Sequence, residues 1–254
     1  MIIGCPNNPR RDFCKEARWC LENGFDYLDL YLEEGKSSPD NVDPVKIREL
    51  LDRFTFKGPG HTPWYLPIGS PVASIREAAV RELGRYFEVF GKAGVGSVAV
   101  HASWCGAGFS VKEMIGFQVE SLRKAVSAAS LHGVRVLFEL TDRKEDSPEN
   151  MRAIMEEVGD VGFLLDTGHA NLWGRKPSDY IRELHDRIEH VHAHDNFKDM
   201  DLHLPIGCGS IDWEATIRQL VMYYDGTITL EVFSRSRDYV LFSRDRLLRL
   251  LGRA

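Results

Sequence analysis

Seven of the nine histidines of this 254-residue chain stand at or just beyond apolar, β-rich runs, and four carboxylates stand with them. The candidate set in chain order is His61, His101, Glu139, Asp166, His169, His192, Asp201, His203 and Glu231. Residues 187 to 213, "RIEHVHAHDNFKDMDLHLPIGCGSIDW", alone hold four histidines and four aspartates. Imidazole and carboxylate are ligands for divalent metals, and a carboxylate beside a metal can also carry a proton to and from carbon. A lone inward His is ordinarily a hydrogen-bonded core residue, and a lone inward Glu is ordinarily paired with Arg. Their arrival at six successive strand ends is a different matter. Carboxylates converging on one axis repel unless a cation or proton sits among them, and a divalent ion supplies that charge.

Eight short β-rich runs must position these groups, and they are predicted at 2–5, 25–32, 54–61, 97–102, 135–140, 161–166, 188–194 and 227–233. Amphipathic helical patterns fall between them. Asp43 before Pro44 reads as an N-cap, and the Ser74 to Glu77 spacing suits a capping box for "SIREAAVRELGRYFEVFGKAG". Eight strands each followed by a helix predict an α/β fold, a single (β/α)8 TIM barrel over residues 1–254. A doubly wound sheet would carry a glycine-rich phosphate turn after an early strand, and the sequence has none. Alternation along a strand puts His190, His192 and His194 on one inward face, with Val191 and Ala193 outward. It also turns Glu139 and Glu231 inward. Chemistry in such a barrel lies at the C-terminal strand ends, where these residues fall.

Composition narrows the classes. Apolar residues are 43% and charged residues 28%, values of a globular protein with a sizeable core. No window reaches the roughly 20 apolar residues of a membrane span, no signal peptide is visible, and five cysteines without CxxC spacing read as reduced thiols, so a cytoplasmic location is expected. Each cysteine reads as a small buried apolar residue. A net charge of −6 gives no general attraction to nucleic acid or acidic membranes.

The chain resembles the xylose isomerase-like TIM barrel superfamily, which contains sugar isomerases and epimerases and the endonuclease IV repair enzymes. The resemblance spans the chain and is carried by "GHTPW" (60–64), "FEL" (138–140), "LDTGHANLWG" (165–174), "HVHAHDN" (190–196), "DLHLPIGCGSIDW" (201–213) and "LEVF" (230–233). It implies one divalent ion held by Glu139, Asp166, His192 and Glu231. Glu139 and Glu231 would then act as the acid/base pair beside a carbonyl. Zn²⁺ or Mn²⁺ is the implied ion, with Co²⁺ and Fe²⁺ also suited to these donors. The same resemblance implies a second possibility: His61, His101, His169, Asp201 and His203 complete the nine side chains of an endonuclease IV three-zinc cluster, and otherwise bind substrate. One to three ions per chain are therefore implied.

A sugar or sugar-phosphate isomerase or epimerase is the leading expectation, with a small-molecule partner and pairing of barrels as a homo-oligomer. An abasic-site phosphodiesterase is the alternative. Against it stand the acidic balance, the short chain, Cys208 in "GCG" where that family usually has Glu, and "HAS" where it has "HPG" on the fourth strand. A non-catalytic sugar- or metal-binding barrel is a third reading. Trp64, Trp104, Phe109 and Trp173 follow strand ends and could wall a sugar's apolar face. Lys198, Arg143 and Glu33 could meet hydroxyls or a phosphate. The basic run at 235–238 with Arg244 and Arg246 is expected to solvate the last helix.

Overall fold

A computed structural model describes residues 1–253. Eight parallel strands close into a barrel in sequence order. They are β1 (Ile2–Pro6), β2 (Tyr27–Tyr31), β3 (Gly60–His61), β4 (Ser97–His101), β5 (Arg135–Glu139), β6 (Gly162–Asp166), β7 (Ile188–Ala193) and β8 (Thr227–Leu230). The outer ring is α1 (Phe13–Glu22), α2 (Pro44–Leu51), α3 (Ala73–Ala93), α4 (Val111–Ser130), α5 (Pro148–Val158), α6 (Pro177–Leu184), α7 (Trp213–Leu220) and α8 (Asp238–Leu250). The fold is the expected (β/α)8 barrel. No described helix is long and apolar enough to cross a membrane.

Each strand sends alternate residues to two environments. Outward side chains such as Val98, Val100, Val136, Phe138, Phe163, Leu165, Val191 and Ile228 are buried against the helices in one continuous apolar layer. Burying a side chain of this kind contributes roughly 1.5–3 kcal/mol, so this layer supplies the main stabilisation. Inward residues change character along the axis. Ala99, Leu137 and Leu164 plug the lower barrel, and the polar set stands above them. Register then makes neighbours of the polar residues: Tyr31 pairs with His61, His101 with Glu139 and Asp166 with His192.

Several local expectations are corrected. The third strand is two residues long rather than the predicted 54–61. Pro59 has no N–H to give a ladder, and its carbonyl accepts from Leu30 N (3.0 Å) as the chain enters the barrel. Asp43 caps α2 through Val45 N as expected. In α3, however, Val72 occupies the N-cap position and Ser74 lies inside the helix, so the predicted box is absent. The capping box forms at Ser110 and Glu113 on α4. All five cysteines are free, but Cys14 and Cys208 are exposed, so small buried packing describes only Cys5 and Cys20 well. The basic run does more than solvate α8. The guanidinium of Arg237 lies 4.5 Å over the Trp19 ring and pairs with Glu16, and that of Arg244 lies 5.6 Å over Phe25. These contacts pin α8 to α1 and its C-terminal turn.

Candidate metal centre

The polar strand ends converge at the C-terminal mouth of the barrel, where His61, His101, His169, Asp201, His203 and Glu231 line a cavity of about 830 Å³ and Glu139, Asp166 and His192 lie buried behind that lining. His192 stands at the middle. Its Nδ1 lies 2.9 Å from Glu139 Oε1, 3.4 Å from Glu231 Oε2 and 4.0 Å from Asp166 Oδ2. These four residues offer donor atoms all within 4.8 Å of one another. On one side, His61 Nε2 and His101 Nε2 are 3.1 Å apart and 3.2 and 3.0 Å from Glu139 Oε2. On the other, His169 Nε2 and His203 Nε2 lie 3.3 and 2.9 Å from Asp201 Oδ2. The nine side chains singled out in the sequence therefore fall into three adjoining donor groups, with Glu139 shared between two of them.

Imidazole tautomers are set from behind. The Nδ1 of His61, His169 and His203 lies 2.7, 3.0 and 2.9 Å from the carbonyls of Thr62, Leu140 and Glu231. A carbonyl only accepts, so each Nδ1 carries the proton and each Nε2 lone pair points into the cluster. Donor lone pairs aimed at carboxylate oxygens repel unless a cation or proton lies between them. Glu139, Glu231 and Asp166 are buried, Asp201 is largely so, and all their ion pairs among the described residues are with histidine. No Lys or Arg neutralises them. Glu139 Oε2, Glu231 Oε2 and Asp201 Oδ1 are buried without a hydrogen-bond partner. This donor set fits divalent metal: orphaned carboxylate oxygens, oriented imidazoles and no competing organic cation.

Without metal, protons must hold the cluster together, and the titration of its groups reflects that. Burial alone would raise the Glu139 carboxyl, but His101 and His192 outweigh it and hold it well below the usual range. Burial would likewise raise Glu231, and His192 and His203 drive it well below. Burial would lower His192 and His169; the carboxylates facing them push both well up. For His203, Glu231 and Asp201 overcome burial and raise it to about 9.

Three further residues complete the floor. Tyr31 O–H donates to Glu231 Oε1 (2.9 Å), and its ring stacks on His61 at 4.2 Å. His194 Nε2 is 2.9 Å from Asp166 Oδ1, and its ring stacks on His203 at 3.9 Å. Asp29 lies directly beneath His192. Strand alternation had placed His194 inward, but nothing in the order of residues links Tyr31 to Glu231, 200 positions away.

Gly168 makes room for His194. A Cβ there would stand 1.9 Å from the His194 ring. Gly168→Ala is therefore expected to displace that ring, with a stability cost of about 1–3 kcal/mol from overpacking and weaker metal uptake. Thermal melts and metal titration check this. An unaltered melt with wild-type uptake would mean that His194 is free to move.

The aromatic and basic candidates separate. Trp64 and Trp104 line the cavity, as do Glu33 and Arg143. Trp64 is exposed, whereas Trp104 is fixed by donating Nε1–H to Asp146 Oδ1 (2.5 Å). Trp173 and Lys198 do not line it. The Trp173 indole donates to the Asp142 carbonyl (2.8 Å), and Lys198 sits in a left-handed turn with its backbone N–H on Asn196 Oδ1 (3.0 Å). Phe109 packs on Phe117 instead. Sequence position put all of these after strand ends, but loop direction decides which side chains turn inward.

Comparison with known proteins agrees with this fold. The family model described as xylose isomerase-like TIM barrel matches residues 17–249. MJ1311 of Methanocaldococcus jannaschii, an uncharacterized protein, is 28% identical over 224 residues, covering 83% of this chain and 75% of that protein. A D-tagatose 3-epimerase-like protein superposes with a TM-score of 0.86 at 24% identity, covering 99% of this chain and 97% of the other. The TTHB071 protein of Thermus thermophilus, soaked with ZnCl2, superposes with a TM-score of 0.78 at 25% identity, covering 100% of this chain and 99% of the other. With its eight-stranded barrel, its histidine and carboxylate floor and a match over nearly its whole length, this chain belongs to the xylose isomerase-like TIM barrel family.

Proposed function

We propose that the protein is a divalent-metal-dependent isomerase or epimerase of a sugar or sugar phosphate, with Glu139 and Glu231 as its proton-transfer pair. One observation carries this reading: two buried carboxylates approach the same His192 Nδ1 from β5 and from the end of β8, at 2.9 and 3.4 Å, Glu231 in the wall of a cavity of sugar size and Glu139 directly behind the His61 and His101 that line it. Epimerases among the structural neighbours support the substrate class.

Glu139, Asp166, His192 and Glu231 would hold the ion. When bound, it supplies the positive charge that polarises a carbonyl and the hydroxyl beside it. Glu139 and Glu231 then exchange a proton with the intervening carbon, one taking it and the other returning it. Tyr31 holds Glu231 by Oε1 and leaves Oε2 free to work. Trp64 and Trp104 wall the cavity against the apolar face of a sugar ring, and the histidines not engaged with metal meet its hydroxyls. The arginines of the rim, Arg10, Arg11 and Arg143, suit a phosphate at the far end of a substrate.

A panel of keto- and aldo-sugars and their phosphates, incubated in D2O with metal-loaded protein, tests the proposal. Deuterium is expected at the carbon beside the carbonyl of the product. Interconversion without deuterium would remove the proton-transfer assignment, and no interconversion across the panel would favour a binding protein. The three adjoining donor groups favour one second reading, phosphodiester hydrolysis on three zinc ions. Elemental analysis of protein purified without chelator separates the two. About three zinc per chain with cleavage of an abasic duplex would move the assignment to hydrolysis, and about one ion with sugar turnover would hold it here.

A further inference from the structure

Beneath the cluster lies a carboxylate that the proposed chemistry does not use. Asp29 projects inward from the middle of β2, fully buried. Its Oδ2 accepts from Thr229 Oγ1 on β8 (2.8 Å), and its Oδ1 has no hydrogen-bond partner. Gly4, on the strand between them, makes room for the Tyr27 ring, whose hydroxyl meets Thr229 Oγ1 (3.0 Å): a Cβ there would stand 2.2 Å from that ring.

His192 faces Asp29 with the nitrogen it does not turn to the cluster. Its Nε2 is 3.4 Å from Asp29 Oδ2, is buried, and lacks a hydrogen-bond partner. His190 Nε2 is 3.5 Å from the same oxygen, but both nitrogens of that ring already meet the hydroxyls of Thr227 (2.7 Å) and Thr229 (3.0 Å). An orphaned imidazole nitrogen thus sits beside a carboxylate with an orphaned oxygen. A neutral imidazole whose Nδ1 lone pair serves a metal must carry its proton on Nε2, and a buried N–H needs an acceptor.

We infer that Asp29 is the positioning residue for His192: it accepts the Nε2–H, fixes that tautomer and turns the Nδ1 lone pair toward Glu139, Asp166 and Glu231. His192 then differs in kind from its neighbours. His61, His169 and His203 present Nε2 and are held from behind by neutral carbonyls. His192 presents Nδ1 and is held by a carboxylate, whose charge makes the ring a stronger donor to a cation. The inference rests on the metal reading of this site and extends it to a residue that touches neither ion nor substrate.

The test is the affinity of the central site for Co²⁺, measured by chelator competition and by the ligand-field absorption of the bound ion. Asp29→Asn, which keeps shape but loses charge, is expected to weaken binding about 10- to 100-fold and to alter the absorption. Asp195→Asn is the comparison, because Asp195 is equally buried but bonds only backbone N–H groups and the Trp213 indole. That variant is expected to lower the melting temperature without moving the affinity. Wild-type affinity and spectrum in Asp29→Asn would overturn the inference, as would equal weakening in Asp195→Asn. A measurement on the wild type needs no variant to fold: ¹⁵N-resolved NMR of the loaded protein should show His192 with a solvent-protected Nε2–H and a metal-bound Nδ1. The opposite tautomer would also overturn it. Failure of the wild type to bind Co²⁺ at all would instead sink the metal reading itself.

Discussion

Glu139→Gln is expected to lower turnover about 10³-fold at saturating metal and substrate, with the barrel still folded. General acid–base groups contribute roughly 10²–10⁴-fold, and Glu139 is asked to do more than move a proton. Its Oε1 faces His192 Nδ1 at 2.9 Å, and its Oε2 faces His61 and His101 at 3.2 and 3.0 Å. An amide of the same shape keeps one acceptor but replaces an anionic oxygen with an N–H that cannot ligate, so one donor group is broken and its neighbour weakened. The expected signature is a fall in kcat that excess metal does not restore, together with loss of deuterium transfer into product. Glu231→Gln should behave alike in kcat but leave the His61 and His101 side of the cluster intact. A Glu139→Gln protein with full turnover would remove Glu139 from the chemistry.

Stripping the metal should invert the response of stability to pH. In the metal-free protein the cluster is held by protons on its histidines. His203 is raised from 6.5 to about 9 in the folded chain, so its contribution is complete below pH 6.5 and is lost as pH rises through about 9. His169 and His192 are raised in the same sense. Glu139 and Glu231 are depressed, so their contribution is present above the ordinary carboxylate range and is lost as pH falls below it. The metal-free protein is therefore expected to be most stable between roughly pH 4.5 and 6.5, the unfolded-state carboxylate and imidazole values, and to melt progressively earlier toward pH 9. Metal competes with those protons, so binding tightens over the same range. At hundredfold excess over Kd, metal adds about 2.7 kcal/mol, or roughly 5–10 °C in Tm for a chain of this size. Melting curves from about pH 5 to 9, with and without metal, should diverge steadily. Parallel curves would mean that the cluster does not exchange protons for metal.

Much of this was legible in the order of residues. Alternating β-rich and amphipathic runs pointed to the barrel because period 2 and period 3.6 patterns bury one face only in their own element type. His61, His101, Glu139, Asp166, His169, His192, Asp201, His203 and Glu231 were legible because polar residues at strand ends have one place to go in a parallel barrel. The third strand was overread: "FTFKGPGH" alternates like a strand, but Pro59 cannot donate to a ladder and only Gly60 and His61 pair. Trp173 and Lys198 were legible as loop residues, while the direction of their side chains was not.

The sequence by itself determined which elements form and which residue types crowd one mouth of the barrel, because those follow from periodicity within a few neighbouring residues. Tertiary structure alone decided partners. At a register shift between Phe163 and Leu164, β7 steps past Glu189, so that Leu164 pairs with His190 and Asp166 with His192. That step aligns the histidine face with the carboxylates of β5 and β6. Closure of the barrel brings Tyr31 to Glu231 and Thr229 to Asp29, each across 200 residues of chain. It also decides which nitrogen a histidine presents where the atom behind the ring, the Leu140 carbonyl for His169 and the Asp29 carboxylate for His192, comes from the fold's packing. Local pattern carries no information about an atom that arrives from the far side of a closed sheet.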